Sequence, residues 1–115
     1  MLGETAFLEL ERQSGRLADM AHSVWENPEG PYREYHASKR CAEYLAENGF
    51  TVETGCFGLP TAVRAVWGQG KPVIGFLGEY DALPGQSQKN VNYREPVEGQ
   101  PYGHGCGHNL LAVGM

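Results

Sequence analysis

The apolar run Pro72-Val-Ile-Gly-Phe-Leu-Gly78 constrains the fold of this 115-residue chain more than any other segment. A run without charged or polar side chains is typical of a strand that is covered on both faces of its sheet. A turn with two glycines, Gly68–Lys71, separates it from Thr61–Trp67, whose valines also suit a strand. The short link predicts that these two strands form an antiparallel hairpin, with residues 72–78, the apolar segment, at the centre of the sheet.

Helical patterns come before the strands. Apolar residues recur at helical spacing from about residue 4 to 25, and a second amphipathic helix is expected over about 34–48. Gly49 follows that helix, where a left-handed cap is expected. Residues 50–54 alternate like a strand, and a further helix begins near Cys106. This order of elements indicates an α/β chain in a three-layer arrangement, with one domain at most over residues 1–115.

Charge and composition exclude several partners. The net charge is −5 and no basic block is present, which argues against nucleic acid or an anionic membrane as the main partner. No apolar stretch approaches the roughly 20 residues of a membrane-spanning helix, and we expect no secretory signal. The three cysteines are odd in number and irregularly spaced, which favours a reduced, cytoplasmic protein over a disulfide framework.

The segment Gly103-His-Gly-Cys-Gly-His-Asn109 carries three side chains of metal-binding chemistry. Thiolate sulfur and neutral imidazole nitrogen are the donors that hold zinc and similar ions. In an extended backbone, alternate residues project to one side, so His104, Cys106 and His108 are expected to face one point. The alternative is a glycine-rich loop in which the histidines have no common role.

Two carboxylates, Glu79 and Asp81, follow the apolar segment directly. Ligands bind at the carboxyl ends of strands in open α/β sheets, so Asp81 is well placed to act at a metal site. An aspartate that ends a strand before a proline turn is also ordinary turn chemistry. From spacing alone these two interpretations stay open, and Glu79 is interpreted as a solvated or structural carboxylate.

A polar stretch without periodicity, residues 85–103, joins the two segments of chemical interest. Loops of this length are uncommon inside compact domains and often functional, so we expect it to line the site. A surface excursion is the alternative. Outside this region, Cys41 and Cys56 are predicted to be buried packing residues, and His22 and His36 surface or packing histidines.

Taken together, Gly78-Glu-Tyr-Asp-Ala-Leu-Pro-Gly85 and Gly103-His-Gly-Cys-Gly-His-Asn-Leu-Leu111 resemble the N-terminal catalytic segment of family 20 metallopeptidases. More narrowly, the chain resembles the amidohydrolase branch containing p-aminobenzoyl-glutamate hydrolase and the β-alanyl-lysine-type dipeptidases. The resemblance implies the N-terminal part of a three-layer α/β/α, zinc-exopeptidase-like catalytic domain. It covers nearly the whole of residues 1–115.

Residue by residue, the resemblance implies that Cys106 and His108 are ligands of a dinuclear site holding two divalent ions, zinc or manganese. Asp81 stands in the place of the aspartate that orients the metal site. Related dipeptidases carry a histidine where this chain has Glu79, which leaves Glu79 without a ligand role. His104 is assigned only a hydrogen bond behind the ligands.

The family's activity is hydrolysis of an amide bond, in an N-acyl amino acid, an aminobenzoyl-glutamate or a small dipeptide, by metal-activated water. Its general base and remaining ligands lie downstream of the matched segment, and its members are several times longer. We therefore expect a fragment, inactive alone, of a protein that forms a homodimer, and a second subunit is left open. A non-catalytic metal-binding module and a purely structural domain are the alternatives.

Overall fold

The computed structural model describes the backbone of residues 1–115 and all side chains except that of residue 2. The described residues form three α-helices: α1, Leu2–Glu26; α2, Tyr35–Glu47; and α3, His108–Gly114, and a short 3-10 helix spans Cys56–Gly58. Four short strands form two separate ladders: β1, Thr51–Thr54, with β2, Val63–Val66; and β3, Leu83–Pro84, with β4, Tyr102–Gly103. The predicted α/β class is confirmed in this coarse sense, as a small mixture of helices and two-stranded sheets.

Helix α1 is buried only toward its C-terminal end. Met20, Ala21 and Val24 belong to the core, whereas Phe7 and Leu10 near the start of the helix are exposed. This part of α1 contacts both other helices: Ser23 Oγ lies 2.9 Å from His36 Nε2 of α2, and the carbonyl oxygen of Ala21 accepts a hydrogen bond from Asn109 of α3. The predicted helical face is therefore confirmed over its second half, because only there does a neighbouring element cover it.

Helix α2 packs on the first ladder and ends as the sequence predicts. Its residues Ala37 and Cys41 are buried, which confirms Cys41 as a packing residue. Gly49, just beyond the helix, has a φ of 85°, the left-handed conformation expected of a helix cap. The following strand β1 pairs antiparallel with β2, from Thr51 opposite Val66 to Thr54 opposite Val63.

The apolar segment does not form the predicted central strand. Within the described chain, residues 72–78 have no strand partner, and the side chains of Val73, Phe76 and Leu77 are 84%, 78% and 86% exposed. The predicted hairpin is also wrong, because β2 takes β1 as its partner. An apolar run indicates which backbone is suited to burial, but a strand also needs a second backbone beside it to complete its hydrogen bonds.

The second ladder closes the polar loop at its base. Leu83 pairs with Gly103 and Pro84 with Tyr102, so the two ends of the loop predicted over residues 85–103 lie side by side. Ala82, directly before β3, is fully buried. This ladder brings the segment after the apolar run next to the segment that leads into α3.

Candidate metal centre

Glu79, Asp81 and His108 form a compact group of possible metal ligands. One ligand atom from each lies within 4.8 Å of those of the other two. His108 Nδ1 is 2.8 Å from Asp81 Oδ1, and His108 Nε2 is 3.5 Å from Glu79 Oε2. The side chains of His108 and Asp81 are 16% and 25% exposed, whereas that of Glu79 is 66% exposed. The group therefore has a sheltered side at Asp81 and an open side at Glu79.

The two carboxylates reach the same side because Tyr80 between them is fixed on the other. The Tyr80 hydroxyl donates a hydrogen bond to the carbonyl oxygen of Thr61, and burial raises the pKa of the Tyr80 phenol. In an extended backbone, side chains alternate, so Glu79 and Asp81 project together when Tyr80 projects away. The anchor thus aims both carboxylates at His108.

Glu29 ties the same segment to α2. Its carbonyl oxygen accepts a hydrogen bond of 2.7 Å from the amide of Ala82, the residue after Asp81. Its carboxylate accepts hydrogen bonds from the amides of His36 and Ala37, at 2.9 and 3.0 Å, in the first turn of α2. These amides have no partner inside the helix, so the carboxylate satisfies them. One residue therefore fixes the start of α2 and the backbone beside Asp81.

His108 is positioned by the start of α3. Gly107 before it has a φ of 72°, a left-handed conformation that glycine adopts without strain. The next residue, Asn109, is buried and donates a hydrogen bond of 3.2 Å from Nδ2 to the carbonyl oxygen of Ala21 in α1. The helix is thereby anchored to α1, and the imidazole is held facing the carboxylates.

The expectation that three alternate side chains face one point is wrong. The backbone after β4 is not extended: it turns at Gly105 and Cys106, and the amide of Gly107 donates to the carbonyl oxygen of His104 at 3.0 Å. Residues in a turn do not alternate, so His108 alone of the three joins the carboxylates. Cys106 is exposed and lies outside the group.

His104 directly precedes the turn and is partly buried. Within the described residues, its Nδ1 and Nε2 are buried without a hydrogen bond of ordinary geometry. Burial lowers the pKa of His104, and the nearby carbonyl of Val24 opposes that shift. A neutral imidazole is the form that this environment favours.

The polar loop lines a cleft of about 320 Å³ next to this turn. Its walls include Trp25 of α1, the backbone of Gly103 and Gly105, and polar side chains of the loop, among them Gln86 and Arg94. A Cβ at Gly103 would lie 1.9 Å from the carbonyl oxygen of Gln86. The glycines of this segment therefore allow it to approach the loop closely.

Glu79 joins this group although the sequence is interpreted as giving it a solvated or structural role, and its mostly exposed side chain agrees with a solvated carboxylate. Its spacing of two from Asp81 after an extended run is the available signal, by the same alternation rule that predicts a common side for residues 104–108. The rule fails where the backbone turns and holds where it is extended. Elsewhere, Cys56 is buried as predicted, and His22 is an exposed histidine near Glu26.

Comparisons with known proteins identify relatives of the chain. It is 44% identical over 108 residues to one subunit of the p-aminobenzoyl-glutamate hydrolase of Escherichia coli, and the match covers 92% of this chain and 22% of the relative. It is 37% identical over 95 residues to thermostable carboxypeptidase 2 of Saccharolobus solfataricus, covering 81% of this chain and 23% of the relative. It is 31% identical over 117 residues to the Xaa-Arg dipeptidase of Homo sapiens, covering 90% and 23%.

These relatives are named as hydrolases, carboxypeptidases and dipeptidases, and the predicted resemblance to the family 20 metallopeptidases and amidohydrolases is confirmed. The chain spans less than a quarter of the length of each of these three relatives. No protein-family model and no solved structure matched the chain. Among the described residues, no helix is long and apolar enough to cross a membrane.

Proposed function

We propose that this chain supplies part of the metal centre of a metal-dependent hydrolase that cleaves amide bonds. The observation that carries the proposal is that Glu79 and Asp81, from one segment, meet His108, which follows Asp81 by 27 residues. Imidazole nitrogen and carboxylate oxygen are the donors that suit zinc and manganese. The similarity to hydrolases of amide and peptide bonds supports the same conclusion.

The contact between His108 and Asp81 prepares the imidazole for a metal. When Nδ1–H donates to Asp81 Oδ1 at 2.8 Å, Nε2 carries the free electron pair. That nitrogen faces Glu79 at 3.5 Å, so an imidazole and a carboxylate are presented together on the open side of the group. Asp81 then orients the ligand and increases its basicity, which is the role of a carboxylate behind a metal-binding histidine.

Cys106 is proposed as a further ligand, because a thiolate is a zinc donor and this exposed residue lies in the turn two residues before His108. Two divalent ions, zinc or manganese, are proposed for the complete centre. When bound, they supply a water of lowered pKa, the nucleophile that amide hydrolysis needs at neutral pH. The residues of this chain hold and orient the centre, and the proton acceptor is proposed to lie elsewhere in the protein.

The proposal for the whole protein extends to its architecture and partners. Residues 1–115 are proposed as the N-terminal portion of a three-layer α/β/α catalytic domain. The substrate is proposed to be a small molecule: an N-acyl amino acid, an aminobenzoyl-glutamate or a dipeptide. The proposed protein is a cytoplasmic homodimer, and a second subunit is proposed because the relative from Escherichia coli is named as one subunit of its hydrolase.

Metal content and turnover of the complete protein test this proposal. We expect roughly two ions per chain in the wild type, with metal and amide hydrolysis both lost in His108→Ala and Cys106→Ala. His22→Ala is the matched control, because His22 is an exposed histidine of α1 far in sequence from the group. Metal content unchanged in His108→Ala would overturn the proposal. Metal binding without turnover of any amide would support a metal-binding module instead.

A further inference from the structure

The cleft beside the turn differs in charge from the chain that surrounds it. The chain carries a net charge of −5, yet the residues that line the cleft include no carboxylate and one cation, Arg94. The rest of the lining is mostly amide, hydroxyl and backbone groups, with the indole of Trp25 on one wall. At about 320 Å³, the cleft has the size of a site for a small molecule, for which roughly 300–1,000 Å³ is usual.

Arg94 is left without a carboxylate although one is its neighbour in sequence. Glu95 forms an ion pair with Lys89, whose Nζ lies 2.6 Å from Glu95 Oε1. This hydrogen bond lowers the pKa of Glu95. Among the described ion pairs none includes Arg94. Glu95 thus neutralises the charge of Lys89, and the guanidinium of Arg94 remains available to bind an anion.

The backbone on both sides of Arg94 is fixed by one side chain. Gln88 Nε2 donates to the carbonyl oxygen of Tyr93 at 2.8 Å, and Gln88 Oε1 accepts from the amide of Glu95 at 3.1 Å. A residue held at its two neighbours presents its side chain from a defined position, which reduces the entropy lost on binding. The two hydrogen bonds of Gln88 therefore fix the position of the Arg94 backbone beside the cleft.

Gln86 is a second polar residue that lines the cleft. A Cβ at Gly105 would lie 2.6 Å from Gln86 Oε1, so the carboxamide rests against the turn that leads to His108. An amide N–H and a guanidinium are together the donors that recognise a carboxylate. The cleft and the candidate metal centre are adjacent along the chain, because His104 and Gly105 line one and His108 belongs to the other.

We propose that this cleft binds the carboxylate of a small organic acid, with Arg94 as the charged contact and Gln86 as a neutral donor. The inference rests on the proposed function in one respect: the carboxylate is assigned to the substrate whose amide bond is cleaved at the neighbouring centre. Binding of the anion itself needs neither metal nor turnover.

The test is calorimetric titration of benzoate into the metal-free complete protein, which separates this site from the hydrolase activity. Loss of one charged hydrogen-bond partner typically weakens binding about tenfold, and we expect that loss in Arg94→Gln with a smaller one in Arg94→Lys. Arg40→Gln, on the exposed face of α2, is the matched control and should bind as the wild type does. Equal affinity of wild type and Arg94→Gln, or no benzoate binding to either, overturns the proposal.

A second measurement does not depend on the folding of a variant. Benzamide has the shape of benzoate without its charge, so we expect about tenfold weaker binding of benzamide to the wild type. Equal affinities would overturn the carboxylate assignment.

Kinetics then test whether the carboxylate belongs to the substrate. For an N-acyl amino acid, Arg94→Gln should raise KM about tenfold with kcat unchanged, whereas the corresponding amino amide should show no change. If benzoate binding weakens while KM for the acid stays constant, the bound anion is not the substrate and that assignment is wrong. Absence of hydrolysis in the wild type would instead contradict the proposed function. Benzoate binding would then be decided by the calorimetric titration alone.

Discussion

Two consecutive segments, 72–78 and 79–84, differ in how the rest of the protein contacts them. The first is apolar, yet it lies exposed without a strand partner. The second carries two carboxylates, yet it is fixed by Tyr80, by the bond from Ala82 to Glu29 and by the ladder of β3 with β4. The apolar character of a segment indicates how much stability it would gain if another element covered it. The contacts that the segment makes determine its position in the structure.

This difference shows which contacts fix the geometry of the candidate site. The contacts that hold Glu79 and Asp81 in place come from Glu29 before α2, from Thr61 before β2, and from α3, all within the described chain. None of these comes from the apolar segment. The geometry of the group is therefore predicted to be independent of whatever covers residues 72–78.

The largest effect is expected where the second ladder meets the loop. In Gly103→Ala, the new Cβ would lie 1.9 Å from the backbone oxygen of Gln86, and backbone cannot yield as a side chain does. We expect a loss of about 3 kcal/mol in the free energy of unfolding, measured by chemical denaturation. Gly15→Ala, in the interior of α1 with open space around it, should instead gain up to about 1 kcal/mol. An unchanged stability of Gly103→Ala would show that the ladder does not hold the site.

A pair of truncations tests the contrast between buried and exposed apolar residues. Val24 is fully buried in α1, so Val24→Ala should cost about 2 kcal/mol in the 115-residue chain. Phe76, in the apolar segment, is mostly exposed, and Phe76→Ala should change stability by less than about 0.5 kcal/mol. Thermal unfolding of both variants measures the difference. A larger loss for Phe76→Ala would mean that the apolar segment is packed in solution.

The orienting role of Asp81 predicts a smaller but specific effect. Asp81→Asn keeps the shape of the side chain and removes its charge, which should lower zinc affinity of the complete protein about 10-fold or more. Asp19→Asn, on the exposed face of α1, is the control and should leave the affinity unchanged. Equal affinities in competition with a chelator would assign Asp81 to turn chemistry rather than to the metal centre.

The smallest effect concerns the thiols. Burial raises the pKa of Cys41 to about 11 from an ordinary 9.0, so the folded state retains its proton while the unfolded state loses it. The stabilisation from this group is present below pH 9 and is lost as the pH rises toward 11. Denaturation across this range should show a fall in stability that is reduced in Cys41→Ala.

Alkylation rates provide the comparison for the thiol of Cys106, which is exposed. At about pH 8 it should react with iodoacetamide well before Cys41 and Cys56, which are both buried. Peptide mapping by mass spectrometry measures the order. Simultaneous alkylation of all three cysteines would indicate that the core around α2 is open.

Local patterns proved reliable in this chain. The apolar spacing of α1 and α2, the cap at Gly49, strands β1 and β2 and the helix beginning near Cys106 were all predictable, because each depends on neighbours in sequence. Pairing was not predictable: both runs flanking the turn at 68–71 look like strands, and only the fold shows that β2 pairs backward with β1.

The candidate site divides in the same way. Asp81 and His108 were predictable from motif resemblance, and the structure places them 2.8 Å apart. Glu79 was not, since its inclusion depends on the anchoring of Tyr80 by Thr61, a contact between distant parts of the chain. The alternation expected for residues 104–108 failed because Gly107 adopts a left-handed conformation and the backbone turns.

The most direct test of the account is crystallographic: anomalous scattering at the zinc edge from the complete protein. We predict a zinc ion at roughly 2.0–2.1 Å from His108 Nε2, with Asp81 still bonded to Nδ1. Full occupancy of a zinc site that excludes His108, or no zinc near His108 at saturating concentration, would contradict the assignment of this group as a metal centre.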